Sequence, residues 1–352
     1  MIVISNFKIT TILLITLLSI LVSITLISTQ KELPSISSKI NGASFVAPPK
    51  FISQEAVTPI KDINFNWVAI MPYAFSKANE PSINYNHDHQ WWGERFEGVK
   101  QTIEYVHNIG LKVMLKPHVW VIGHGWAGDY SLSSQIEWDI WYQDYSDYIL
   151  TYAKLAESMN VELFCIGTEY RKVATAQPDL WIDLIKKVRN IYTGKITYAA
   201  NWDNYQKITF WDQLDYIGID AYFPISDQKT PGVDEMMTNW SPTKAAIKNI
   251  SNQFNKPILF TEYGYESRDY SGDGDWNYSK DTLEINFQGQ VNAYRAMYQS
   301  YWYEDWFAGG FLWKWHADHD KAGGINDKRF TPQNKPVEQI IKEHNDIYKL
   351  RQ

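Results

Sequence analysis

Short apolar runs separated by longer stretches of helical period recur eight times along this chain, and that alternation limits the fold more than any other feature. The runs fall at 42–46, 67–71, 112–116, 162–167, 195–200, 216–220, 257–261 and 309–313. Such runs, bounded by turn and polar residues, suit strands buried on both faces of a parallel sheet. Between them the helices announce themselves. After Pro178, residues Trp181, Ile182, Leu184, Ile185 and Val188 repeat at helical spacing, and Gly194 ends the segment, so a helix feeds the fifth strand. Ile103 and Val106, closed by Gly110, mark the helix before the third strand. Tyr145, Tyr148, Ile149, Tyr152, Leu155 and Ala156 mark a long one before the fourth, and Ser241-Pro242 opens another that ends before Asn255-Lys256-Pro257. Eight units over roughly 310 residues predict one (β/α)8 barrel, an α/β fold that takes about 250 residues, here with enlarged loops. A doubly wound open sheet is the other arrangement of this pattern, but no glycine-rich phosphate loop follows the first strand.

Ahead of the barrel, residues 9–28 form one apolar stretch broken only by Thr and Ser, with Lys8 before it and Lys31 and Glu32 after. Its length is enough to span a bilayer. The lysine-led start fits an export signal, whereas the long apolar run without an Ala-x-Ala site fits a retained anchor. Residues 1–30 are therefore expected to be a signal peptide or a membrane anchor, 31–40 a short tether, and 41–352 the barrel domain. Both versions place the barrel outside the cytoplasm. Cys165 is the only cysteine, which excludes an intrachain disulfide, and its apolar run makes it a small core residue. A net charge of −7, from 33 basic and 40 acidic side chains, offers no footprint for nucleic acid.

A barrel of this kind carries its functional groups at the C-terminal ends of its strands. There the chain collects Lys116 and His118 after the third strand, Glu169 after the fourth, and Asn201 and Asp203 after the fifth. Asp220 and Tyr222 follow at the sixth, Glu262 at the seventh, and Trp313 and Trp315 at the eighth. Glu169 and Glu262 are lone carboxylates closing apolar strands, each within Thr-Glu-Tyr. A charge in such a place is costly unless it is at a solvated rim or has a function. Two carboxyl groups across a barrel mouth, ringed by Trp, Tyr, His and Asn, suit glycosidic bond hydrolysis, which needs one protonated and one ionised. Repulsion and partial burial separate their pKa values. The 16 Trp and 23 Tyr suit stacking on sugar rings, although about half of the aromatics are expected to fill the core.

The runs Ile166-Gly167-Thr168-Glu169, Asp215-Tyr216-Ile217-Gly218-Ile219-Asp220-Ala221-Tyr222-Phe223-Pro224 and Phe260-Thr261-Glu262-Tyr263-Gly264-Tyr265, in this order and spacing, resemble glycoside hydrolase family 113 of clan A, known for β-1,4-mannanases. The likeness covers about residues 41–350. It implies a retaining mechanism with Glu169 as general acid/base and Glu262 as nucleophile, their carboxyl groups about 5–5.5 Å apart. It further implies that Tyr222 hydrogen-bonds the nucleophile and that Trp313 or Trp315, with Trp313 favoured, floors the reacting sugar. Lys116, His118, Asn201 and Asp220 would contact sugar hydroxyls. Thr168 stands where many clan A enzymes place Asn, so the amide contact to the 2-hydroxyl is not expected here. Trp120 and Trp202 are placed either in the sugar cleft or in the core.

His87-Asp88-His89, and His316 with Asp318 and His319, have metal-binding residue types, but the first group falls in a long loop rather than at a strand end, and no metal is expected. The segment 269–280 resembles a calcium loop but has Lys280 at the twelfth position, so it reads as a loop beside the nucleophile. The expectation is an endo-acting β-1,4-mannan hydrolase, monomeric and without cofactor, taking a polysaccharide or oligosaccharide. An exo-acting β-mannosidase or other β-glycosidase, and a non-catalytic carbohydrate-binding barrel, are the alternatives.

Overall fold

A computed structural model describes residues 39–123, 126–274 and 283–349. The apolar stretch 9–28, nearly all of the expected tether, and residues 275–282 of the acidic loop lie outside the described residues. The elements run β1 (Ile40–Phe45), α1 (Thr58–Asp62), β2 (Trp67–Ile70), β3 (Tyr73–Lys77), β4 (Asn84–Tyr85), α2 (Phe96–Asn108), β5 (Lys112–Leu115), β6 (His118–Ile122) and α3 (Gln135–Ser158). They continue through β7 (Leu163–Thr168), α4 (Arg171–Ala176), α5 (Pro178–Arg189), β8 (Lys195–Asn201), β9 (Ile217–Asp220), α6 (Val233–Phe254), β10 (Ile258–Tyr263), α7 (Phe287–Tyr301), β11 (Phe307–Trp315) and α8 (Pro336–Lys349).

The predicted strands close into a parallel barrel of order β1-β11-β10-β9-β8-β7-β5-β2, which disposes of the open-sheet alternative. Inside it, Ile40, Ala69, Met114, Leu163, Leu259, Ala308 and Phe311 form an apolar cluster separate from the larger core. Phe311 fills space opposite Gly42, where an added Cβ would come within 2.3 Å of its ring. The larger core lies between barrel and helices and takes up many aromatics, among them the fully buried Trp141, Trp181, Trp211, Trp240 and Trp302. Trp141 stacks on Tyr145 at 4.8 Å, both on α3, whose start is fixed by a Ser134–Glu137 capping box. No helix among the described residues is long and apolar enough to cross a membrane.

One expectation needs correction. The helix expected to open at Ser241-Pro242 begins at Val233, with Pro242 in its interior. Met236, Trp240, Ile247 and Ile250 bury one continuous stripe, and this packing outweighs the backbone bond lost at the proline. The segment after the third strand also holds an element that spacing did not announce: His118 and Trp120 lie on strand β6, which joins β3 and β4 in an outer sheet of order β4-β3-β6. Pro72 and Pro117 interrupt the paired strands β2 and β5, and the chain beyond each resumes parallel pairing as β3 and β6. The hinge is a bond from the His118 amide to the Pro72 carbonyl at 2.9 Å.

Closure depends on Gly309. Its φ of 120° belongs to glycine, and a Cβ there would lie 2.1 Å from the Ile40 carbonyl oxygen. Gly309→Ala is expected to cost ~3 kcal/mol in urea unfolding by forcing β1 from β11; a loss below about 0.5 kcal/mol, the ordinary range for an exposed site, would contradict this account of closure.

Candidate active site

Both glutamates stand where the barrel strands lose register. The β7–β8 pairing shifts between Cys165 and Thr168, just before Glu169, and the β10–β9 pairing shifts between Phe260 and Glu262. Such bulges re-aim side chains beside active sites. Glu169 also has φ 53°, a left-handed conformation that is costly for a side-chain-bearing residue. Its backbone is pinned there by an N–H donated to Ala199 at 2.8 Å and a carbonyl accepting from Arg171 at 2.7 Å.

Period-two alternation along the strands puts Lys116, two residues beyond Met114, and Asp220, two beyond Gly218, into the barrel above the apolar cluster. The Lys116 ammonium donates to Glu262 Oε1 at 2.5 Å and to the two Asp220 oxygens at 3.0 and 3.2 Å. Thr261 donates its hydroxyl to Asp220 at 2.7 Å, and Tyr222 donates to Glu262 Oε2 at 2.8 Å. Burial presses the Lys116 pKa down, but Asp220 and Glu262 outweigh it and the net direction is up, so the ammonium keeps its proton. Asp220 is pushed up to about 7, first by burial and then by the Glu262 charge, against the pull of Lys116.

Among the described residues no cation is bonded to Glu169. Its carboxyl is pushed up to about 8 by burial, then by the charges of Asp220 and Glu262; a hydrogen bond from the Trp126 indole, 2.7 Å to Oε2, pulls the other way. The residue as a whole is part-buried, and Trp126 is the hydrogen-bond partner of its Oε2. The two glutamates therefore differ in kind: one is braced by an ammonium and a phenol, the other is inclined to hold a proton.

Around them, His118 Nε2 is 3.7 Å from Glu262 Oε1 and has no hydrogen-bond partner among the described residues. Burial and Lys116 hold its imidazole well below the usual histidine range, hence neutral. Its ring lies between Tyr73, at 5.1 Å, and Trp313, nearly parallel at 6.3 Å. Trp313 and the half-exposed Trp120 line a cleft of about 1110 Å³ that runs past Phe51, Trp91 and His316. Asn201 is buried with its amide on Asp203 at 2.8 Å, and the part-buried Trp202 packs edge-on against Phe223.

Three expected sugar contacts are corrected. Lys116 and Asp220 have no exposed side chain and are consumed by each other, Glu262 and Thr261, so they brace the carboxylate from beneath. Trp315 is fully buried against Phe65 and His319 and cannot floor a sugar; of the two tryptophans only Trp313 reaches the cleft. The Thr168 hydroxyl turns to the Pro117 carbonyl at 3.4 Å. Cys165 is buried, as expected. His87 and His89 are exposed, and Asp88 pairs with Arg95 at 3.6 Å. Trp126 and Tyr73 were not picked out in the sequence. Both belong to loop or outer-sheet segments whose approach to the barrel mouth follows from tertiary packing, although an aromatic two residues beyond Met71 at a strand end was a usable signal for Tyr73.

A barrel mouth offering a proton-holding carboxyl opposite a braced carboxylate, beside an aromatic-lined cleft, defines a glycoside hydrolase. The sequence profile of Glycoside Hydrolase Family 113 matches residues 50–335, and the chain belongs to that family. Among solved structures it is similar to the family 113 β-mannanase AaManA from Alicyclobacillus acidocaldarius in complex with ManMIm, at 25% identity and a TM-score of 0.78, over 88% of this chain and 98% of that one. A second family 113 β-1,4-mannanase, solved as a complex, aligns at 26% identity and a TM-score of 0.75, over 88% and 99%. No curated protein sequence matches the chain.

Removing the ammonium should expose the cost of the cluster. Lys116→Met leaves Asp220 and Glu262 facing each other, so both carboxyls would be more readily protonated folded than unfolded, and stability would fall as pH rises. The expected loss is ~3 kcal/mol or more at about pH 8 and clearly less at about pH 4; equal losses in denaturant unfolding at both would contradict the brace.

Proposed function

We propose that the chain is a retaining, endo-acting hydrolase of β-1,4-mannan or glucomannan, with Glu262 as nucleophile and Glu169 as general acid/base. The observation that carries this reading is the unlike setting of the two carboxyls. Lys116 and Tyr222 hydrogen-bond Glu262 and hold it aimed, so it attacks the anomeric carbon as Glu169 protonates the departing glycosidic oxygen. Glu169, now a carboxylate, then takes a proton from the water that releases the sugar. Trp313 floors the reacting sugar, and Trp120, Asn201 and Trp202 are available to the rest of the glycan. The named activity of the similar structures supports mannan as the substrate.

Endo action rests on the cleft. Pockets of about 300–1,000 Å³ bury a drug-sized ligand, and the space beyond Trp313 is about 1110 Å³, more than one sugar needs. The apolar segment 9–28 supports export or anchoring, and thus an extracellular or surface polysaccharide as the encounter partner.

Digestion of β-1,4-mannan, glucomannan, xylan and cellulose tests this reading. Short manno-oligosaccharides are expected, whereas release of mannose alone would make the enzyme exo-acting and no cleavage with retained binding would make it a receptor. Glu262→Ala should lose at least about 10⁴-fold in kcat/KM, with azide yielding an inverted mannosyl azide. Glu169→Ala should spare activated aryl mannosides in the first step and yield the retained azide; identical azide products from the two variants would overturn the role assignment. In the wild type, kcat/KM should decline above about pH 8 as Glu169, pushed up to about 8, loses its proton.

A further inference from the structure

The Trp126 indole is held more firmly than a loop tryptophan needs to be. The Arg171 guanidinium lies 4.8 Å from its ring centre, and Arg171 is itself fixed by Asp203 at 2.7 Å and Asp129 at 2.8 Å. Gly128 approaches so closely that an added Cβ would be 2.3 Å from the indole Cζ2. The clamp therefore joins the turn after β6, the start of α4 and the end of β8, and its one outward product is the indole N–H directed at Glu169 Oε2 at 2.7 Å.

We propose that Trp126, clamped by Arg171 and Gly128, is a positioning residue that fixes Glu169 for proton transfer by occupying Oε2 and leaving Oε1 for the glycosidic oxygen. This rests on Glu169 being the general acid/base. In the first step the Oε1–H proton passes to the leaving oxygen as the anomeric bond to it breaks, and the indole N–H becomes a bond to an ionised acceptor, which is stronger. In the second step Oε1 receives the proton of the attacking water while Oε2 remains held. An N–H can serve both states because it donates to the carbonyl oxygen of the acid and to either oxygen of the carboxylate. The guanidinium on the ring face draws electron density from the indole and favours its donor role.

The other groups that act on Glu169 are Asp220 and Glu262, which disfavour its ionised form, and Lys116, which favours it; the phenols of Tyr198 and Tyr222 are close enough to feel its charge. None of these changes in the variants that test the clamp. Trp126→Phe keeps an aromatic ring and removes the donor, so the alkaline limb of kcat/KM should move upward by about one pH unit. The same variant should lose about tenfold or more on manno-oligosaccharides, which need acid assistance, while a dinitrophenyl β-mannoside stays within about threefold. Arg171→Met, which leaves the indole in place, should move the limb in the same direction by less and decides the matter where Trp126→Phe does not fold. An unmoved limb in both variants, or equal losses on both substrates, would overturn the proposal. Absence of turnover by the wild type would instead remove the hydrolase reading beneath it.

Discussion

The ammonium of Lys116 inside the barrel is the interaction on which the rest of the site depends. Three ionisable side chains, Lys116, Asp220 and Glu262, are taken almost wholly out of water. Such a cluster survives only when every member is bonded, because desolvation otherwise exceeds the Coulombic return. Each member here is bonded, and the partners come from different strands: Lys116 from the end of β5, Asp220 from β9, Thr261 and Glu262 from β10. Closure of the barrel, through Gly309 and the Gly42–Phe311 contact, keeps β5 and β10 across the interior from one another at the spacing the ammonium bridges. Fold and reactivity thus share one constraint.

That constraint also explains how two glutamates of the same local sequence come to differ. Glu262 follows a bulge that turns it to the ammonium and the Tyr222 phenol. Glu169 follows a bulge on the opposite side, in a left-handed conformation, and among the described residues meets an indole donor without a cation. Burial is common to both. Among the described residues only one is bonded to a cation, and the proposed division into acid and nucleophile rests on that asymmetry.

Much of this was legible in the sequence, because strand and helix periods are local. All eight barrel strands and the helices around α3 and α5 follow from spacing, and Thr-Glu-Tyr at two strand ends marks the carboxyl pair. Boundaries set by packing were less visible, as the Pro242-containing helix shows. The outer sheet escaped notice because β3 and β6 are short continuations beyond prolines, with His and Trp in place of a clean alternation. Lys116 and Asp220 were expected to face the sugar, since polar residues at a barrel mouth give no sign of depth; only their mutual pairing shows that they lie beneath it. Trp126 reaches Glu169 from a turn whose path no periodicity encodes.

The most direct test of the central claim, that the carboxylate braced by Lys116 and Tyr222 is the nucleophile and Glu169 is not, is trapping with an activated 2-deoxy-2-fluoro-β-mannoside followed by peptide mass mapping. The account predicts one covalent adduct, on Glu262, formed at a rate that collapses in Lys116→Met. An adduct on Glu169, or turnover with no covalent adduct at any pH, would contradict it.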